Sequence, residues 1–120
     1  MTRILIVDDS RTSRKILKNI LTAHDFEIVG EGTNGEEGIA LYKELKPDLV
    51  TLDITMPVLD GVGALKEIMA FDPNAKAVMV TAAGQQGNVV ESVKLGAAEF
   101  VTKPFDEDAL IAVLNRVLGK

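Results

Sequence analysis

The chain has 120 residues, 26% of them charged and 47% hydrophobic, with one histidine, no cysteine and a formal net charge of −5. One domain of this length buries about two thirds of its unfolded surface without staples, and the lack of cysteine excludes thiol redox chemistry, thiolate catalysis and Cys-ligated zinc. The acidic balance, with a pI near 4.8, makes nucleic acid an unexpected partner; the lone His24 argues against a histidine metal site, and no apolar run reaches the length of a membrane span, so a soluble cytoplasmic protein is expected.

Five short apolar runs alternate with five longer segments of helical period, the pattern of βαβ units on a parallel sheet. The first strand is read at Ile4 to Val7, before Asp8-Asp9-Ser10. Ser10 can cap a helix whose apolar residues Ile16, Leu17, Ile20 and Leu21 recur at helical spacing. That helix also carries Arg11, Arg14, Lys15 and Lys18, which read as a solvated face or a surface for docking a partner. The second strand runs from about Glu27 to Gly30, and the helix after Asn34-Gly35 extends to Lys46-Pro47.

The third strand, Leu49 to Leu52, leads into Asp53, the loop through Met56-Pro57 and a helix that starts at Asp60-Gly61. Asp72-Pro73-Asn74 stops this helix, because proline disfavours helical geometry in the residue before it. Ala77 to Val80 forms the fourth strand, followed by Thr81 and a helix from about Gln86 to Leu95 that Gly96 closes. The fifth strand is Glu99 to Thr102, and after Lys103-Pro104-Phe105 a last helix is capped by Asp106. The expected architecture is α/β: a doubly wound, five-stranded parallel sheet of order 2-1-3-4-5, a flavodoxin-like three-layer sandwich. One domain over residues 1–120 is expected, with no second domain for output.

In that order strands one and three lie side by side at the switch point, where Asp8, Asp9 and Asp53 would meet. Each residue alone has an ordinary explanation. Asp53 could open a turn, one of Asp8 and Asp9 could cap a helix, Thr81 could express β-propensity, and Lys103 could be solvated. Together they form a site. Carboxylates about 4 Å apart repel by on the order of 4 kcal/mol at an effective dielectric near 20, so a cation is required, and an all-oxygen acidic pocket suits Mg²⁺. A carboxylate beside Mg²⁺, with the Lys103 ammonium and the Thr81 hydroxyl nearby, can attack a phosphoryl group and hold it as an aspartyl phosphate.

Asp8-Asp9 after strand one, Asp53 after strand three, Thr81 after strand four and Lys103-Pro104 after strand five resemble the response-regulator receiver domain over the whole chain. Asp53-Ile-Thr-Met-Pro, Gly84-Gln-Gln and Lys103-Pro-Phe are similar to stand-alone receivers of the CheY type, themselves a standing example of the 2-1-3-4-5 order. The resemblance implies that Asp53 accepts a phosphoryl group from a CheA-like histidine kinase, and that Asp8, Asp9, Asp53 and the Thr55 backbone carbonyl serve the Mg²⁺. It implies that Lys103 pairs with the phosphoryl group, that Thr81 moves to donate to it, and that Phe100 then turns inward, so that the face of helix four, strand five and helix five binds a target protein. It further implies a cis Lys103-Pro104 bond and a monomer before phosphorylation. Such a chain is a signalling switch, catalysing only its own phosphorylation and dephosphorylation. Ala83, two residues after Thr81, cannot hold an attacking water, which implies slow dephosphorylation. Chemotaxis is the implied pathway, with a phosphorelay shuttle as the alternative.

Two rival chemistries use other features. Gly30-Glu-Gly32-Thr-Asn-Gly35 matches GxGxxG between a strand and a helix and would suit a small Rossmann-like nucleotide-binding protein. It follows the second strand instead of the first and leaves Asp8, Asp9 and Lys103 without a purpose. A metal-dependent phosphatase with an aspartyl nucleophile would need a general acid and a substrate cap, for which the chain has no insertion.

Overall fold

Each of the five apolar runs forms a strand, and each strand delivers its carboxyl end to the same edge of one sheet. A computed structural model describes residues 1–82 and 86–119. Its elements are β1 (Arg3–Val7), α1 (Arg11–Ala23), β2 (Glu27–Gly32), α2 (Gly35–Leu45), β3 (Leu49–Asp53), α3 (Gly61–Phe71), β4 (Ala77–Thr81), α4 (Gln86–Leu95), β5 (Glu99–Thr102) and α5 (Glu107–Leu118). The strands pair in parallel in the order β2-β1-β3-β4-β5.

β3 and β4 are buried at every position, because helices cover both faces of the sheet. Alternate residues along each strand feed two cores. Leu5, Val7, Val50, Leu52 and Met79 pack with Tyr42 of α2 and with Leu65 and Ile68 of α3. Ile4, Ile6, Leu49, Val78 and Val80 pack with Leu17 and Leu21 of α1 and with Leu110 and Leu114 of α5. Each such Leu or Ile contributes roughly 1.5–3 kcal/mol by leaving water. Helices α1, α2, α3 and α5 start where a short polar side chain accepts from one of their first backbone N–H groups: Ser10 from Ser13, Asn34 from Glu37, Asp60 from Gly63 and Asp106 from Asp108. Each cap is worth about 1 kcal/mol. None of the described helices is long and apolar enough to cross a membrane.

Four strands extend beyond their sequence limits. β1 begins at Arg3, β2 continues to Gly32, β3 includes Asp53 and β4 includes Thr81. The register explains this: Val7 faces Gly32, Asp53 faces Val80, and Thr81 faces Thr102, so backbone pairing outlasts the apolar run. Ile16 is a second correction. It is 46% exposed, whereas Leu17 and Leu21 take the core side of α1. The Lys103-Pro104 bond is cis. In the loop after β3, the Leu59 N–H donates to the Pro57 carbonyl at 2.7 Å, a γ-turn with Val58 at its centre at φ 68°.

Candidate functional site

The ladder of β1 ends at Val7, which faces Gly32 on one side and Leu52 on the other. The next residue, Asp8, donates its N–H to the Gly32 carbonyl at 3.0 Å and accepts from the Ser10 N–H through Oδ1 at 2.8 Å. Its side chain is thereby buried beside the end of β3 while Asp9 stays exposed. Asp53, the last residue of β3, is 7% exposed and accepts weakly from the Thr55 N–H at 3.4 Å. Asp8, Asp9 and Asp53 each present a carboxylate oxygen within 4.8 Å of the others.

Lys103 follows β5 and reaches across β4. Its Nζ is 2.9 Å from Asp8 Oδ2 and 3.2 Å from Asp53 Oδ2, and only the second contact has hydrogen-bond geometry. Burial opposes the ammonium charge, but the close carboxylates of Asp8 and Asp53, the second also hydrogen-bonded, outweigh it and hold Lys103 above its ordinary pKa. Burial, reinforced by the charge of Asp8, pushes Asp53 up from 3.8 to about 6, although Lys103 and the Thr55 N–H pull the other way.

Three carboxylates against one ammonium leave a formal excess of two negative charges, which matches a divalent cation. The donor atoms are all oxygen, and Asp8 Oδ2 is a buried acceptor without a hydrogen bond. Hard oxygen donors in a small acidic cleft fit Mg²⁺, which takes one or two carboxylates and keeps several waters.

Thr81 lies at the end of β4, 6% exposed, but its hydroxyl donates to the Val101 carbonyl at 3.4 Å instead of pointing its hydrogen bond at Asp53. Phe100 on β5 is half-buried against the core shared by α2, α3 and α4. Thr55 has an exposed side chain in the loop beyond Asp53. Ala83 and the Gly84-Gln85 pair lie outside the described residues.

Two contributors were not read from the sequence. A Cβ on Gly61 would collide with the Asp53 carbonyl oxygen, so the first residue of α3 must be glycine for the helix to seat behind the acceptor. Proximity of this kind has no signal in a single sequence beyond the Asp-Gly pair. Arg14, read as part of a basic face, instead donates from Nη1 to the Asp8 carbonyl at 2.7 Å and is only 14% exposed in its side chain. The GxGxxG glycines are accounted for by packing. Added Cβ atoms would crowd Leu45 at Gly30, the Gly38 backbone and Val7 at Gly32, and the Leu59 carbonyl at Gly35.

Known proteins resemble the chain over nearly its whole length. Residues 4–115 match the response regulator receiver domain. The chemotaxis protein CheY of Thermotoga maritima is 51% identical over 96% of both chains, and the protein CcdB of Bacillus subtilis is 48% identical over 99% of both. Among solved structures, CheY in the CheX-CheY-BeF3-Mg²⁺ complex of Borrelia burgdorferi superposes with a TM-score of 0.94 at 39% identity, covering 99% of this chain and 90% of that one.

Proposed function

The chain belongs to the response regulator receiver domain family, and from that membership we propose that it is the phosphoacceptor switch of a chemotaxis pathway, with Asp53 as the acceptor. The observation that carries this reading is the convergence on one strand end of Asp53, two further carboxylates within 4.8 Å and the Lys103 ammonium at 3.2 Å. An Asp53 Oδ attacks the phosphorus of a phosphohistidine on a CheA-like kinase; the new O–P bond forms as the N–P bond breaks, and the imidazole leaves with the bonding pair. Asp8, Asp9, Asp53 and the Thr55 carbonyl would hold Mg²⁺, which when bound would offset charge on the transferring oxygens. The Borrelia relative, solved with Mg²⁺ and BeF3, supports this assignment.

Lys103, already centred between Asp8 and Asp53, neutralises a phosphoryl oxygen without having to travel. Thr81 must leave the Val101 carbonyl to donate to the same group, and that exchange is the step that couples the site to β5. Phe100, the exposed Val90 and Val93 of α4, and a cavity of about 140 Å³ between β5 and α5 make the α4-β5-α5 face the proposed docking surface for the target protein. The receiver is read as a cytoplasmic switch, monomeric before phosphorylation, whose only catalysis is on its own acceptor. The CcdB relative is not named for chemotaxis, and a phosphorelay shuttle, which has the same site requirements, stands as the second reading.

Intact mass after incubation with acetyl phosphate and Mg²⁺ tests the proposal, with EDTA and Asp53→Asn as controls. A gain of one phosphoryl group that needs both metal and Asp53 supports it, and no gain in a folded, metal-supplied chain rejects it. Transfer onward to a histidine phosphotransfer domain separates the relay from the chemotaxis reading.

A further inference from the structure

The four basic residues of α1 do not form one surface. Arg11 and Lys15 are exposed, while Arg14 and Lys18 turn towards Glu31 on β2, at 3.2 Å from Arg14 Nε to Oε1 and 3.6 Å from Lys18 Nζ to Oε2. Arg14 is the most enclosed member of that group, and the other side of its guanidinium meets the Asp8 carbonyl at 2.7 Å.

We propose that Arg14 is a positioning residue of the metal and acceptor site, holding the Asp8–Asp9 peptide plane while Glu31 keeps its charge away from the carboxylates. The inference rests on the reading of Asp8, Asp9 and Asp53 as the metal site. The Asp8 carbonyl lies beyond the last β1 pairs, at Gly32 and Leu52, so it needs a donor from outside the sheet. This carbonyl shares its peptide with the Asp9 N–H, so fixing that plane sets the N–Cα bond of Asp9 and narrows the directions in which its exposed side chain can leave the chain. Asp8 is otherwise pinned by its own N–H to Gly32, by Oδ1 to Ser10 and by Oδ2 to Lys103; Arg14 holds the link to Asp9 that these leave unfixed.

The choice of residue follows from the two directions required. A guanidinium presents diverging N–H groups in a rigid fork, so it can bridge a carbonyl and a carboxylate together, whereas an ammonium is a point charge on a flexible stem. A cation so close to three aspartates could also settle on them and compete with a metal. Pairing with Glu31 prevents this, and Lys18 steadies Glu31 in turn. Groups that orient metal ligands in this way typically change affinity by about 10–100-fold when removed.

The test compares the full chain with Arg14→Ala, Arg14→Lys and Glu31→Gln by calorimetric Mg²⁺ titration, urea unfolding, and amide hydrogen exchange without metal. Arg14→Ala is expected to weaken Mg²⁺ binding about tenfold and to speed exchange at Asp9 and Ser10 far more than in α3 or α5. Arg14→Lys should recover stability but not Mg²⁺ affinity, and Glu31→Gln should weaken binding although it touches no carboxylate of the site. Unchanged affinity and unchanged exchange at Asp9 and Ser10 in Arg14→Ala would overturn the proposal, as would a uniform rise in exchange over the whole chain. If Arg14→Ala does not fold, unaltered Mg²⁺ affinity in Glu31→Gln overturns it. Failure of the unaltered chain to bind Mg²⁺ rejects the metal reading instead, and exchange at Asp9 and Ser10 still decides the clamp.

Discussion

Gly61 sits against the Asp53 backbone so closely that a single added methyl group would overlap the Asp53 carbonyl oxygen. The Gly61 N–H also donates to the Ile54 carbonyl at 2.9 Å, so helix α3 begins by gripping the strand end that carries the acceptor.

Gly61→Ala is therefore expected to destabilise the fold by about 1–3 kcal/mol, the usual range for overpacking, and to slow phosphorylation of whatever folds, because relief requires moving Asp53. Gly30→Ala is the control: its Cβ would meet the end of the flexible Leu45 side chain, not backbone. Urea unfolding and phosphoryl uptake from acetyl phosphate read both effects. Equal uptake in Gly61→Ala and the parent would contradict the expectation.

Asp53→Asn should stabilise the metal-free protein at pH 7.5. The folded chain raises the Asp53 carboxyl from 3.8 to about 6, so it holds that proton more tightly than the unfolded chain does. The resulting contribution is complete below pH 3.8 and is lost as pH rises through about 6, where a buried charge must be carried. The amide escapes that cost, which is on the order of 2–3 kcal/mol. The advantage of Asn should shrink as pH falls from 6 towards 4, as measured by unfolding at fixed salt.

Mg²⁺ competes with the same proton. Affinity should be flat above pH 7 and fall by up to about tenfold per pH unit once the pH is below that of the Asp53 carboxyl, with calorimetry as the readout. A pH-independent affinity between 5 and 7 would show that Asp53 is not a ligand.

Removing the ammonium with Lys103→Met should raise the Asp53 carboxyl above about 6, since attraction and hydrogen bonding to Lys103 both lower it. Carbon NMR of the carboxyl across a pH series reads the change, and an unmoved titration would mean that Lys103 does not govern the charge at Asp53.

Thr81→Val gives up one long hydrogen bond to the Val101 carbonyl, at a cost of about 1 kcal/mol. Phosphoryl uptake should persist, while the Phe100 ring resonances should no longer shift on phosphorylation. A full shift in Thr81→Val would remove the hydroxyl from the switch.

The meeting of Asp8, Asp9 and Asp53 was legible because it follows from strand order alone: a parallel sheet places residues at strand ends together whatever their neighbours do. The helix limits were legible at Ser10, Asn34, Asp60 and Asp106, where a side chain of the right length stands before an apolar stripe. Direction around a helix was not. Ile16 and Leu17 look equivalent in the sequence, yet one is exposed and the other is core. Likewise, Arg14 differs from Arg11 because Glu31 on β2 and the Asp8 carbonyl lie within its reach. Such distinctions depend on where a second element lies, and helical period carries no information about that.

Lys103 reaches Asp53 across 50 positions of sequence, and its contact with Asp8 spans nearly the whole chain. Contacts of such separation carry a loop-closure entropy that local contacts avoid, so they are favoured once the elements between them have docked. β5 is an edge strand, hydrogen-bonded within the sheet to β4 alone while Phe100 and Val101 pack into the two cores, so a local opening of this edge would draw the ammonium away from Asp8 and Asp53. Acceptor reactivity is thus a property of the completely folded chain, and phosphoryl uptake can serve as a clock for the docking of its last strand.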